Sequence, residues 1–359
     1  MNKSKCIHFR RGRAQRTDFD FKIGSQSLET VDHYKYLGVI FHEKGDYMLN
    51  TDSLAKSAGR ALGAVITKIH SLKDFGFRSY EKMFDACVAP IMEYCASVWG
   101  AKSFQSLDNV QNRALRYFLG VHRFAPIPGL YGDSGWIPTQ YRRWRCILRY
   151  WNRLQLMDDN RLTKRVFNHD CGLCHNNWSA GVKQIMTDLG FHDEFTTRQT
   201  IHMHDSFNAI KNLYQEKWSR DVNAMSKLRT YVTYKNTVSC EDYVTLNMKR
   251  QERSMLCQLR LGILPLRIET GRYIGEPIED RLCTVCDLNV VETEAHFVTE
   301  CTHYQNVRNS TLKEILENDN IINLNAENKL AFLVKNRPRT LAKYVVRAFK
   351  QRRSTLYSS

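Results

Sequence analysis

The sequence predicts a mainly α-helical protein with a small β hairpin or sheet near its amino-terminal end and a metal-stapled module near its carboxy-terminal end. Three observations predict it. Apolar residues recur at intervals of three and four over most of the chain, as one face of a helix requires. Alternation at period two is confined to residues 3 to 45. Finally, Cys283-Thr-Val-Cys286 is followed after nine intervening residues by His296 and after four more by Cys301, the donor set and spacing of a closed tetrahedral zinc site. With 359 residues and 43% apolar residues, the chain can build real cores in two or three domains.

In the β segment, Phe19-x-Phe21-x-Ile23 alternates, Gly24-Ser25 turns, and Tyr36 to Phe41 forms a short apolar strand. The glycine inside that strand, Gly38, marks a bulge or a close approach by another backbone. From Leu54 the period changes: Ala55, Ala58, Leu62, Val65, Ile66 and Ile69 give one long helix to about Leu72. A second helix begins at Ser79 and puts Tyr80, Met83, Phe84, Cys87, Val88, Ile91, Cys95, Val98 and Trp99 on one face, with Pro90 kinking it. A third runs from about Ser106 to Leu119 and stops at Gly120, with Leu107, Val110, Ala114 and Phe118 inward and Arg113 and Arg116 on another face.

Pro126 to Pro138 holds three prolines and three glycines and is expected to be a loop. After it, Arg142-Arg143-Trp144-Arg145, Arg149-Tyr150-Trp151 and Arg153 interleave arginine with aromatic residues. On a helix that pattern suits phosphate and stacking contacts; the alternative is a helix whose tryptophans face a core while its arginines are merely solvated. Residues 176 to 250 are the least informative: Ile185, Leu189, Ile210, Leu213, Tyr214 and Trp218 suggest helices, and Thr230 to Tyr234 fits a strand or a loop. At the end, Leu341, Tyr344, Val345, Ala348 and Phe349 make an apolar stripe, and Lys343, Arg347, Lys350, Arg352 and Arg353 cover the rest of that basic helix.

The net charge of +16 implies a polyanionic partner, nucleic acid before an anionic membrane. No run of eighteen apolar residues exists, and Phe9-Arg-Arg-Gly-Arg13 stands where a signal peptide would place its apolar core. The expected location is therefore nuclear or cytoplasmic, with no membrane partner and eleven reduced cysteines. In the metal segment, Asp287 and Asn289 form turns and Thr293 caps a short helix bearing His296. Five residues on an ideal helix turn about 140° past the starting direction, so the chain has to leave that geometry before Cys301. Glu276 to Glu300 contains seven acidic residues and only Arg281 as a cation, which makes this segment a poor phosphate clamp.

The order Lys3 to Phe9, Tyr34 to Phe41, Tyr94-x4-Trp99-Gly100 and Val110 to Gly120 resembles the tail of LINE-type (non-LTR) retrotransposon reverse transcriptases. The likeness continues through Gly135-Trp136-Ile137-Pro138, Arg142-Arg143-Trp144, Leu261 to Pro265 and the Cys283 to Cys301 knuckle. It implies an end-of-palm segment at 1–50, a thumb-like helical domain at 51–165, a helical connector at 166–275, a zinc knuckle at 276–316 and a basic helical tail at 317–359. Polymerase chemistry in that family uses palm aspartates holding two magnesium ions. No aromatic-x-Asp-Asp motif occurs here, and Leu156-Met-Asp-Asp159 follows a helical pattern, so it belongs to a helix end.

The resulting expectation is a chain without polymerase activity of its own. It would bind one structural zinc through Cys283, Cys286, His296 and Cys301, and no Mg2+. It would hold RNA–DNA or primer–template duplex through Arg113, Arg116, Arg142, Arg143, Arg145, Arg149, Lys343, Arg347 and Lys350, with no small-molecule substrate. Substitution of Glu292 and Glu294 is expected to leave that binding intact or strengthen it. Two alternatives stay open: a non-enzymatic zinc-stapled interaction protein, and a piece of a longer, active reverse transcriptase. Cys171-Gly-Leu-Cys174-His175 has the letters of a haem attachment, or with His169 of a second metal cluster, and is otherwise an exposed loop. His202-Met-His204 is treated as surface.

Overall fold

A computed structural model describes residues 4–10, 12–72 and 75–357. Lys3, the first residue of the amino-terminal resemblance, lies outside them. Two antiparallel hairpins come first. Strands β1 (Lys22–Ile23) and β2 (Gln26–Ser27) close over the expected Gly24-Ser25 turn. Strands β3 (His33–Tyr36) and β4 (Val39–His42) pair with Tyr36 opposite Val39 and Tyr34 opposite Phe41. The expected single strand from Tyr36 to Phe41 is therefore folded in two. Leu37 and Gly38 both have positive φ, 47° and 84°, the geometry of a two-residue hairpin turn. The close approach expected at Gly38 comes from a side chain: a Cβ there would lie 2.8 Å from the Tyr94 ring, whose hydroxyl donates to the Leu37 carbonyl at 2.9 Å. Beside the hairpin, Arg10 and Arg16 donate to Glu43 and hold its carboxyl at about 2.

Helix α1 (Met48–Ser71) starts earlier than its apolar period because Asn50 is buried and accepts a hydrogen bond from the Ile40 amide of β4 at 3.0 Å. The expected second helix is cut into α2 (Phe77–Cys87), α3 (Ala89–Met92) and α4 (Ala96–Trp99). Pro90 starts α3, where its missing N–H costs nothing, and Cys95 in the left-handed region separates α3 from α4. The breaks explain why Cys87 and Val98, placed inward by periodicity, are exposed. Helix α5 (Gln105–Leu119) has the expected inward residues and ends at Gly120.

The proline- and glycine-rich stretch is not a loop. It forms α6 (Ile127–Ser134), with Pro128 in its first turn and seven of its eight residues buried. Gly129 and Gly132 serve close packing here: added Cβ atoms would meet Leu261 at 2.3 Å and the Tyr231 hydroxyl at 2.4 Å. At its end the fully buried Asp133 accepts from the Tyr231 and Tyr243 hydroxyls and from two nitrogens of Arg260, all at 2.7–2.9 Å.

Then follow α7 (Thr139–Gln155), α8 (Leu162–Leu173), α9 (Trp178–Asp188), α10 (His192–Thr196) and α11 (Met203–Asn223). Leu156 to Asp159 lies just past the end of α7, the helix-end position expected for it. Thr230 to Tyr234 is a tight helical turn rather than a strand. Helices α12 (Asp242–Thr245), α13 (Arg250–Arg260) and α14 (Arg267–Tyr273) precede the metal segment, and α15 (Gln305–Thr311), α16 (Lys313–Leu316), α17 (Ala326–Asn336) and α18 (Pro338–Tyr357) follow it.

The chain divides into two compact units that are discontinuous in sequence. The first comprises residues 1–73, 81–111 and 138–213, and its core gathers α1, α3, α4, α7, α8 and α9. The second comprises 74–80, 112–137 and 214–359, and is built around α13, α15, α17 and α18. Among the described residues, no helix is long and apolar enough to cross a membrane.

Candidate functional site

The metal segment begins as a narrow reverse turn. Leu282 and Val291 form an antiparallel bridge, the Cys283 amide donates to the Val290 carbonyl at 2.8 Å, and Asn289 makes the turn with φ of 53°. Cys283 and Cys286 sit on this turn. The Thr293 hydroxyl accepts from the His296 amide at 3.0 Å, so the expected cap is present. The chain then solves the 140° problem in an unexpected way. Residues His296–Glu300 widen into one π turn, in which the Cys301 amide donates to the His296 carbonyl five residues back at 2.9 Å. The wider turn returns Cys301 to the side of His296 without a separate loop.

One donor atom from each of Cys283, Cys286, His296 and Cys301 lies within 4.8 Å of the other three. The Cys283 and Cys301 sulfurs are 3.9 Å apart, and the Cys286 sulfur is 3.5 Å from His296 Nε2. Tetrahedral zinc with Zn–S of about 2.3 Å and Zn–N of about 2.0–2.1 Å has edges of about 3.8 and 3.6 Å, so these two edges fit the ion. His296 Nδ1 is buried and lies 3.5 Å from the Glu300 carboxylate, an approach that falls short of a hydrogen bond. The hydrogen bond with Cys301, then burial, pushes the bare Cys283 thiol up to about 12. A cation that binds thiolate displaces that proton, which is how a buried sulfur cluster becomes favourable.

Two acidic residues of the metal segment, Glu292 and Glu294, are structural, which corrects the expectation that they can be substituted without loss, whereas Glu279, Asp280, Asp287 and Glu300 are exposed. Glu292 is fully buried, accepts from both terminal nitrogens of Arg352 and from the Arg267 amide at 2.7 Å, and lies 3.7 Å from the Cys283 sulfur. Glu294 is also buried and takes Arg229 at 2.5 Å and the Thr230 hydroxyl at 3.0 Å. Arg352 accordingly points inward, against its expected place on the solvent face of the last helix. Phe297 packs its ring against Tyr304, Tyr344 and Phe349, and its carbonyl accepts from Tyr344 at 2.7 Å, which fastens the module to α18.

The basic residues separate into two groups. Arg142 and Arg143 are corrected. Arg142 spans Asp85 at 3.0 Å and Glu93 at 2.5 Å. Arg143 is 1% exposed and donates to the Thr139 hydroxyl at 2.6 Å and the Lys102 carbonyl at 2.8 Å, while burial pushes its pKa down to about 10. Trp144 and Trp151 are buried and donate to the Ala101 and Gln199 carbonyls, so the tryptophans of α7 face a core. Arg145 lies half-buried over the Phe207 ring at 4.2 Å, and Arg149 is exposed. Arg113 is exposed and Arg116 half-buried, whereas Lys343, Arg347 and Lys350 stand fully out from α18.

Cys171, Cys174 and His175 do not assemble a site. Cys171 is buried 3.2 Å from the Ser179 hydroxyl, and Cys174 ends α8 in the left-handed region. His202 and His204 do have a third candidate donor, Asp205, but all three are exposed. Sequence reading passed over Arg123, Phe124 and Lys227, which line a cavity with Arg116. Their only local signal is an arginine next to an aromatic residue just after the Gly120 cap. Comparison of the chain with protein-family models, with curated proteins and with solved structures finds no match in any of the three.

Proposed function

We propose that the chain is a zinc-stapled nucleic-acid-binding protein of the kind that joins the thumb to the zinc knuckle in LINE-type reverse transcriptases, and that it grips duplex without performing nucleotide transfer. The observation that carries the binding is α18. Arg339, Lys343, Arg347, Lys350 and Arg353 recur at intervals of three and four and are all exposed. The inner face of the same helix is fixed by Leu341, Tyr344, Val345, Ala348 and the Arg352–Glu292 pair. Lys343, Arg347, Lys350 and Arg353 carry no ion pair among the described residues. A rigid row of unpaired cations is what a phosphate backbone meets with least ordering cost. Zinc on Cys283, Cys286, His296 and Cys301 would fill all four positions with protein donors, and so would stabilise the module without activating water.

Binding of a primer–template duplex across a salt series tests this. Lys343→Ala with Arg347→Ala should lower the slope of log K against log salt by about 1.8 on duplex DNA, two phosphate contacts at about 0.9 each. An unchanged slope removes α18 as the binding face, and incorporation of labelled nucleotide by the purified chain on a primed RNA template overturns the non-catalytic part. A second reading, a protein-docking module, draws on Tyr273, Ile274 and Ile278, apolar residues left 60–71% exposed beside the knuckle. Complex formation through them would change little with salt.

A further inference from the structure

We infer that the second unit holds a phosphate site for single-stranded nucleic acid, with a base laid on Phe124, in the cavity between the end of α5 and the end of α11. The inference rests on the nucleic-acid reading above and specifies a place and a ligand form for it. The cavity has a volume of about 540 Å³, within the range of about 300–1,000 Å³ that accepts a small ligand. Arg116, Arg123, Phe124 and Ile127 form one wall, and Met225 and Lys227 the other.

Three cations therefore face one space. Arg116 Nε is buried and has no hydrogen-bond partner. A guanidinium donor withdrawn from water and left unpaired is costly, and folded proteins place such a group where a protein atom, a water or an anion completes it. The local carboxylate is already engaged: Glu269 is held by Arg272 at 2.9 Å and Tyr273 at 2.8 Å, with Lys227 at 3.4 Å. No carboxylate is within ion-pair distance of Arg116 or Arg123 among the described residues. The positive charge of the cavity thus exceeds what the chain supplies to balance it.

The aromatic group decides which anion fits. Phe124 is 62% exposed, and the Arg123 guanidinium lies 4.6 Å from its ring centre. A large ring kept in solvent beside a phosphate-binding cation, with Ile127 and Met225 as apolar neighbours, offers what a nucleotide presents: a charged phosphate joined to a flat base. An acidic peptide would satisfy the arginines but leave the ring unused. A base paired inside duplex cannot present its face to Phe124, so the ligand is a single strand or a strand end.

Fluorescence anisotropy with a labelled dA12 strand and the full chain tests the inference, with AMP, pyrophosphate and poly-glutamate as competitors. Phe124→Ala and Arg123→Ala alter exposed side chains and should fold normally. Phe124→Ala should weaken dA12 binding by about tenfold with the salt slope unchanged, since one stacked base is lost. Arg123→Ala should lower the slope by about 0.7, one single-strand phosphate contact. AMP should displace dA12 from the wild-type chain more effectively than pyrophosphate does, and Phe124→Ala should remove that advantage.

Equal dA12 affinity in wild type and both variants overturns the site; if Lys343→Ala with Arg347→Ala still weakens duplex binding, the general nucleic-acid reading survives it. Conversely, Phe124-dependent dA12 binding alongside a failed α18 test keeps the site and removes the duplex reading. Displacement by poly-glutamate as effective as by AMP, or AMP binding without dA12 binding, overturns the assignment to a nucleic-acid strand.

Discussion

Replacing Glu292 by glutamine should destabilise the second unit severely, whereas the sequence predicts only that its substitution leaves duplex binding intact or strengthens it. Its carboxylate is fully buried and takes both terminal nitrogens of Arg352, itself 4% exposed, together with the Arg267 amide. Solvent screening is therefore slight, and the substitution leaves a buried guanidinium without its counter-charge. Breaking a buried pair from one side costs about 3–5 kcal/mol. For a unit of about 180 residues, each kcal/mol lowers the midpoint by about 2–4 °C, so a fall of roughly 6–20 °C is expected. The assay is thermal unfolding at saturating zinc, with Arg352→Met and the double variant Glu292→Gln, Arg352→Met measured beside it. The double variant should lose less than the two single losses added, because it removes both charges. A Glu292→Gln midpoint within 1 °C of wild type would refute the reasoning, since it would mean that water reaches the pair.

The other predictions concern the metal and the first unit. Metal analysis of the purified chain should find one equivalent of zinc, and Cys286→Ser should lose it and melt as the chelator-treated wild type does; equal zinc in both proteins would remove the assignment. Arg143→Met should cost about 2–4 kcal/mol in urea unfolding through the lost hydrogen bonds to the Thr139 hydroxyl and the Lys102 carbonyl, while leaving the salt dependence of duplex binding unchanged. A reduced salt slope without loss of stability would return Arg143 to the binding face.

What the sequence determined by itself is local or chemical. Helical period located α1 and α5, a threonine cap located the turn at His296, and the paired spacing of three cysteines and one histidine located the candidate metal cluster. In each case the signal lies within one or two turns of chain, so no distant residue is needed to read it. The tertiary structure decided what the buried charged groups and the prolines and glycines of α6 are for. Pro128, Gly129 and Gly132 form a buried helix only because Leu261, Trp218 and Tyr231 close around them. Arg142 and Arg352 resemble surface cations until carboxylates 49 and 60 residues away are brought to them. Arg116 and Lys227 share a cavity although they lie 111 residues apart. Charge and glycine are ambiguous in a sequence because their free energy depends on burial and partner, and burial is a property of the folded chain alone.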